Sequence, residues 1–538
     1  MPKDMRLLGV DVGAQSIRVC VFDGHGNVLG SFQKPLEIDR PHRGWAEADP
    51  ETWWQAFLEG VGHATEQAKI RPETIGAIGI SNMCPSLVAM DGKGRALRPA
   101  ILYQDQRSLE QVETVQRKSD PERIFELSGN RAAAGTYSVS SMRWIQDHEP
   151  AIFSKTVYFG HANTFLGSKL TGKVGLDHTN ASFTGLFQTG NPGDQGGDDS
   201  GGVSGGVSGG GSGGWSGELI SAWGIAGEKL PPLVRSWSRL GELTHQAAAA
   251  GGFRECTPVA IGVADSACSA LGAGITESQQ GFNTAGSSDV LLFCIDQPNF
   301  DNRFMNRCHA VPGRWLAMGA LLSAGAAFGW LRQKILSATN YDVLNEEAQQ
   351  SGPGANHLIF LPYMQGERSP IWDPMARGVF FGLSLESTRG DLARAVMEGA
   401  AFALRQNLEI ASMQLGYPVG EIRLGGGGAK SDLWCQIKAD VLGRPLVRLD
   451  KEETAVLGAA MLAGIAAGLY RDHHEAVELA AAKPDRVFTP RPEQQSLYNG
   501  FYEIYCGLYP RLADPFYALG TQALARRCDP LSDGVKTG

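Results

Sequence analysis

The chain has 538 residues, 43% of them hydrophobic and 20% charged, with a formal net charge of −9. That length exceeds what a single core organises, so two domains of comparable size are expected. The acidic balance, with no lysine- or arginine-rich run to offset it, excludes a nucleic-acid or anionic-membrane surface as partner, and no apolar run approaches a membrane span.

Nine cysteines are scattered with no C-x-x-C pair, so there is no disulfide framework and reduced thiols are expected. The first apolar stretch is short and interrupted by Asp11, which does not suit a signal peptide. These features predict a soluble, cytoplasmic protein.

In chain order, Leu7 to Phe22 reads as two strands joined by a turn at Gly13, with Asp11 at the hairpin tip, and Val28 to Phe32 as a third strand. Asp49-Pro50 signals a helix start, and the helix is predicted to run to about Lys69. Ile75 to Ile80 is a nearly continuous apolar strand, as in a sheet covered on both faces. It ends in Ser81-Asn82-Met83-Cys84-Pro85, and a later strand, Leu97 to Tyr103, ends in Gln104-Asp105-Gln106-Arg107. Strand ends are where ligands bind in α/β sheets. Helices are predicted from Ser108 to Gln116 and from Ser138 to Asp147. Residues 190–217 are mostly glycine, serine and aspartate with little to bury, predicting a flexible surface loop.

Pro258 to Val263 is an apolar run that stops at Asp265, followed by small residues at helical spacing. The residue type favours a helix N-cap at this corner. A general base is the other role open to it. Asn283 to Asp289 forms a second small-residue corner. Asp391 to Asn407 is predicted as a helix with Leu392, Val396, Gly399 and Ala403 on one close-packing face. Gly425 to Gly428 follows a strand and precedes the helix Asp432 to Leu442, and Thr454 is predicted to cap the helix Ala455 to Ala467. Three Gly-rich corners directly after strands, at 11–16, 284–288 and 425–428, suit phosphate oxygens through backbone N–H groups. None matches the P-loop or Rossmann signature. Each half of the chain holds strands, polar Gly turns and helices, which suggests a duplicated α/β architecture.

Gly378-Val379-Phe380-Phe381-Gly382-Leu383 followed by Asp391-Leu392-Ala393-Arg394-Ala395-Val396-Met397-Glu398, together with Gly9 to Gly13, Leu97 to Leu102 and Gly425 to Ala429, resembles the FGGY carbohydrate kinases. The resemblance runs from Gly9 to about Leu508. Within the family, Trp45 to Pro50 and Tyr363 to Pro370 look most like the xylulokinases. The resemblance implies a two-domain α/β fold of the actin-like ATPase (ribonuclease H-like) type with a catalytic cleft between the domains. Its domains would be 1–274, binding sugar and including the flexible loop, and 275–510, binding nucleotide, with 511–538 as a C-terminal tail.

It further implies ATP-dependent phosphorylation of a sugar hydroxyl, D-xylulose to D-xylulose 5-phosphate, with Asp265 as general base. Asp11 would hold Mg²⁺. Gly13, Ala14 and Gln15, with Ala285, Gly286 and Ser287, would approach the transferred phosphate. Gly426, Gly427 and Ala429 would line the adenine and ribose end. Met83, Cys84, Asp105, Asp265 and Ser266 would bind the acceptor.

Where xylulokinases carry Gln-Met-His-Gly and an asparagine after the base, this chain has Asn82-Met83-Cys84-Pro85 and Ser266. Kinases for ribulose, ribitol or erythritol are therefore the alternative, and a non-catalytic ATP-binding protein of the same fold the lesser one. Partners would be a small sugar or polyol and ATP, with no nucleic acid and no membrane. A homodimer is the expected assembly.

Overall fold

The computed structural model describes residues 5–192, 214–337, 340–416 and 419–525. All of the expected loop except 190–192 and 214–217 lies outside them. The chain divides into two units: residues 1–280, 293–317 and 450–483 in the first, and 281–292, 318–449 and 484–538 in the second. A single cut near residue 274 therefore misses two segments, 293–317 and 450–483, that fold with the N-terminal part.

The first unit is built on a seven-stranded sheet. Along its main path the order is Arg239–Glu242, Pro258–Ala260, Ile75–Asn82, Arg6–Val12, Ser16–Phe22, Val28–Pro35, and Val263–Ala264 also pairs with Ile75–Asn82. Arg6–Val12 and Ile75–Asn82 run parallel with nearly every side chain buried, as their unbroken apolar sequences require. The helix Pro50–Gln67 covers one side and the helix Thr454–Ala466 packs against the two central strands. The first helix starts as its sequence signals: Asp49 accepts from Glu51 N–H, with Pro50 in the first helical position.

In the second unit, Gly281–Ala285, Ile422–Gly425 and Leu446–Leu449 are successive parallel neighbours, and Pro484–Phe488 adds antiparallel. The run parallel, parallel, antiparallel also occurs in the first unit, from Arg6–Val12 through Ile75–Asn82 and Pro258–Ala260 to Arg239–Glu242. This bears out the duplicated α/β reading. The small-residue face of the 391–407 prediction is real: a Cβ on Gly399 would stand 2.2 Å from Phe360 O. The helix itself is longer, Arg389–Leu415, and opens with a capping box between Thr388 and Asp391.

One expected cap and the expected tail differ. Thr454 is the first residue of its helix, and Glu453 occupies the cap without a side-chain bond. The expected tail from 511 is helical to Ala525, the end of Pro492–Ala525. No helix among the described residues is long and apolar enough to cross a membrane.

Candidate active site

Register assembles the first half of the site. Parallel pairing sets Asp11 opposite Ser81 and Val12 opposite Asn82, while Val263 and Ala264 pair with the same Ser81 and Asn82. Three parallel strands thus end together, and the residues just past their ends are Gly13, Met83 and Asp265. Gly262 makes this junction possible: its φ of +81° bends the chain between Pro258–Ala260 and Val263–Ala264, and a Cβ there would lie 2.7 Å from Ile80 Cβ.

Asp265 is not the helix cap. Ala264 holds the extended cap position, and Asp265 is the first residue of Asp265–Gly272, its Oδ1 accepting the next backbone N–H, from Ser266, at 2.7 Å. The sequence favours a cap because aspartate is a good one, but the chain turns a residue earlier and leaves the carboxylate available. Burial pushes its pKa up to about 6, opposed by the Arg307 guanidinium and assisted by the Asp11 charge.

Asp11 lies inside its strand, before the hairpin tip. Its Oδ1 accepts from Ser81 Oγ at 2.7 Å, and Arg18 Nη1 stands 3.6 Å from Oδ2. Burial raises its pKa, and Ser81 and Arg18 pull it back. With these two donors, acceptor positions remain on the carboxylate. That fits a hydrated Mg²⁺ delivered with phosphates, which needs one or two carboxylates and keeps several waters. No cluster of three or more His, Cys, Asp or Glu side chains placed to hold a metal occurs among the described residues.

The residues expected to bind the acceptor follow Asp11's neighbouring strand. Met83 N–H donates to Val12 O at 2.8 Å, and its side chain is buried. Cys84 Sγ lies 3.7 Å from His161 Nδ1, and burial raises the thiol's pKa. His161, the residue capping Ala162–Thr171, also meets Asn180 Oδ1 at 3.0 Å and Ser138 Oγ at 3.1 Å. Burial lowers its pKa to about 4, so the ring is neutral at neutral pH. Asn180 and Asn82 exchange amide hydrogen bonds, and Asp177 fastens Asn180 from behind at 2.6 Å. Thr179, bonded to Asp177, accepts the Ala264 N–H at 2.9 Å, tying this network to the residue before Asp265. Sequence reasoning missed His161 and Asn180.

Asp105 does not belong with these residues as a substrate contact. Its carboxylate accepts Ala46 N–H at 2.6 Å, Arg107 N–H and Nε at 2.9 Å, and Arg107 Nη2 at 2.7 Å. Four protein donors occupy its lone pairs, and the arginine it holds lies 3.5 Å above the Trp45 ring. The strand-end position was legible; the saturation of the carboxylate was not.

Sequence reasoning also missed Arg307, brought into the first unit on Met305–Cys308. Its side chain is buried, Nη1 donates to Ser266 Oγ, and Cζ stands 3.6 Å from the Phe183 ring centroid. The available signal was an arginine between small and apolar residues, in what the structure shows to be a fully buried strand.

In the second unit the two remaining glycine corners meet. Gly426, at φ +83°, approaches Ala285 so closely that a Cβ would lie 2.5 Å from Ala285 O, and one on Gly428 would lie 2.9 Å from Ala285 Cβ. A Cβ on Gly427 would meet nothing within 4 Å. Not every expected amide is available for phosphate. Gly13 N–H bonds Ser16 O, Gly286 N–H bonds Ser288 O, and Ala429 N–H bonds Gly426 O. Ala14, Gln15 and Ser287 lie outside those three bonds. Beneath the 285–288 corner, Lys438 Nζ bridges Asp289 Oδ2 at 2.6 Å and Asn283 Oδ1 at 2.9 Å.

Carboxylates at the ends of two parallel strands that flank Ile75–Asn82 in one unit, and paired glycine corners after strands in the other, suit a phosphotransferase of the actin-like ATPase fold. Sequence and structure comparisons agree. Residues 6–191 and 211–272 match the N-terminal domain of the FGGY family of carbohydrate kinases, and residues 281–467 its C-terminal domain. The xylulose kinase of Staphylococcus epidermidis is 32% identical over 507 residues, covering 94% of this chain and 96% of that one. A ligand-bound xylulose kinase structure from Lactobacillus acidophilus superimposes with a TM-score of 0.85 at 26% identity, covering 96% of this chain and all of the other (100%). A gluconate kinase from the same organism gives a TM-score of 0.85 at 25% identity over 96% of this chain and 99% of the other. The chain belongs to the FGGY family of carbohydrate kinases. It is a xylulokinase-like enzyme that moves a phosphoryl group from ATP to a carbohydrate hydroxyl.

Proposed function

We propose that Asp265 is the general base of this transfer, that Asp11 holds Mg²⁺, and that D-xylulose, yielding D-xylulose 5-phosphate, is the first acceptor to test. D-Ribulose, ribitol and erythritol are the alternatives. The observation that carries the reading is the shared register of Asp11, Ser81 and Val263, which brings the Asp11 and Asp265 carboxylates to the same end of two strands that flank Ile75–Asn82.

Asp265 takes the acceptor hydroxyl's proton as that oxygen forms its bond to the γ-phosphorus; the bond to the bridging oxygen breaks, and ADP leaves with the electron pair. Mg²⁺ at Asp11 would supply charge neutralisation on the phosphates. Ala14 and Gln15, and in the second unit Ala285, Ser287, Gly426 and Gly427, are the proposed phosphate and nucleoside contacts, with Gly13, Gly286 and Ala429 shaping the turns. Met83, Cys84 and Ser266 form the acceptor wall.

A coupled ADP-release assay across the four acceptors tests the reading. Magnesium-dependent turnover of at least one is expected, with Asp265→Asn retaining nucleotide affinity and losing most of it. Silence of the wild type on every acceptor, or full turnover by Asp265→Asn, would overturn it.

A further inference from the structure

Behind the acceptor wall runs a relay of hydrogen bonds whose directions follow one from another. It starts at Asp177, whose carboxylate accepts from Thr179 N–H and Oγ1–H, Ser236 Oγ–H and Asn180 Nδ2–H. Because that carboxylate is filled by donors, the Asn180 amide nitrogen faces it, at 2.6 Å, and Asn180 Oδ1 faces the other way. The oxygen accepts Asn82 Nδ2–H at 3.0 Å and meets His161 Nδ1 at 3.0 Å. An amide oxygen has no hydrogen to give, so Nδ1 carries the ring's proton, and Nε2 accepts from Ser138 Oγ–H at 3.1 Å. Burial, which lowers the ring's pKa to about 4, keeps a second proton off it.

This tautomer decides what Cys84 can do. Its Sγ lies 3.7 Å from the same Nδ1, the thiol's single hydrogen-bond contact among the described residues. A protonated Nδ1 cannot take the thiol hydrogen. The sulfur therefore accepts from the ring, sharing its N–H with Asn180 Oδ1, and the S–H hydrogen is turned away. Burial holds the thiol protonated, and the charges of Arg307 and Asp265 both reach it, which places it on the base's side of the ring. His161 is 1% exposed, whereas Cys84 is only partly buried. The turn that anchors the relay also anchors the base: Thr179 Oγ1 accepts the Ala264 N–H at 2.9 Å, directly before Asp265.

We propose that His161 is a positioning residue for the acceptor: its Nδ1–H occupies the Cys84 sulfur and so commits the thiol hydrogen to an oxygen of the bound sugar or polyol, while another hydroxyl lies at Asp265. The proposal rests on the reading of Met83, Cys84 and Ser266 as the acceptor wall. His161 does not touch the acceptor; it acts through Cys84. Asn180 and Ser138 fix the ring before the acceptor arrives, so little side-chain ordering remains to be done on binding.

The experiment is a double-mutant cycle on the full chain, read by ADP release with whichever of D-xylulose, D-ribulose, ribitol and erythritol is turned over best. Cys84→Ala and His161→Leu should each raise the KM for that acceptor by about three- to tenfold, the worth of one neutral hydrogen bond. The double variant should rise no further, because His161 acts only through the sulfur. The KM for ATP should hold in all three. His161→Asn, which returns an N–H near the Nδ1 position, should recover part of the loss. The infrared difference spectrum of the wild type on adding the acceptor keeps the test open if His161→Leu folds poorly. The S–H stretch should move to lower frequency, and Cys84→Ala should abolish that shift. A raised KM in Cys84→Ala with an unchanged KM in folded His161→Leu, additive effects in the double variant, or no S–H shift in the wild type would overturn the role of His161 and leave the acceptor wall intact. An unchanged KM in Cys84→Ala would overturn the wall reading itself, and the proposal with it.

Discussion

Gly272 and Thr454 meet backbone to backbone: a Cβ on Gly272 would stand 2.0 Å from Thr454 O. One turn along, a Cβ on Gly458 would stand 2.0 Å from Cys268 O. The helix that Thr454 begins also presses on the central strands, where a Cβ on Gly9 would lie 2.3 Å from Val456 O and one on Gly79 1.9 Å from Ala459 O. The strand carrying Asp11 and the helix carrying Asp265 therefore rest on one support, and it comes from residues 454–466, far along the chain.

This support predicts a strong size effect. Gly458→Val forces a branched side chain into the Cys268 backbone and should destabilise the first unit by about 3 kcal/mol, the upper part of the range for overpacking. Gly62→Ala is the contrast: a Cβ there meets nothing within 4 Å, and in a helix interior it should stabilise by about 0.5–1 kcal/mol. Denaturant midpoints of the two variants against the wild type check both signs.

As the proposed base, Asp265 predicts a pH dependence. A base works deprotonated, so kcat/KM should be full above its pKa of about 6 and fall as pH drops through that value. Arg307 holds that pKa down, so Arg307→Met should move the acid limb to higher pH. Asp265→Asn should lower kcat by about 10²–10⁴-fold and remove the limb. An acid limb that stays in place in Asp265→Asn would assign it to another group.

Glu367 predicts a second, independent pH effect in the second unit. Its side chain is buried, Oε1 accepts Leu322 and Arg368 N–H at 2.9 and 2.8 Å, and Oε2 has no hydrogen-bond partner among the described residues. Burial raises its pKa from 4.5 to about 8. The folded state thus holds a proton that the unfolded chain releases above about 4.5. The associated stability is fully present below that pH and lost as pH rises through about 8. Glu367→Gln should remove this slope, and at pH 9 should be more stable than the wild type by a few kcal/mol, on the order of the linkage for such a shift. Thermal melts of both proteins from pH 5 to 9 make the comparison.

These residues show which parts of the molecule sequence could reveal. Asp11, Asp265 and the corners at 284–288 and 425–428 are local features: a strand followed at once by a carboxylate or glycines, readable within ten residues. Arg307, His161 and the filled carboxylate of Asp105 depend on partners far away in the chain. Arg307 reaches Ser266 across 41 positions, His161 reaches Cys84 across 77, and Asp105 accepts Ala46 N–H across 59. Segments 293–317 and 450–483 join the first unit for the same reason; nothing in their own composition distinguishes them from neighbouring strands and helices. The cap at Asp265 was misread on propensity, which tertiary register overrode when Ala264 paired with Asn82.

The Lys438–Asp289 pair should matter more to nucleotide binding than to the acceptor. Both side chains are buried, at 4% and 2% exposure, and Asn283 bonds each of them. Asp289 begins the strand that leaves the 285–288 corner, so the ion pair fixes where that corner's amides point. Lys438→Met leaves a buried carboxylate unpaired and should cost about 3–5 kcal/mol. Adding Asp289→Asn removes the orphaned charge and should recover much of that loss, as a double-mutant cycle would report. In the folded double variant the KM for ATP should rise while the KM for the acceptor holds, since Met83, Cys84 and Ser266 belong to the other unit. An unchanged KM for ATP would make the pair a purely structural element of the second unit's core.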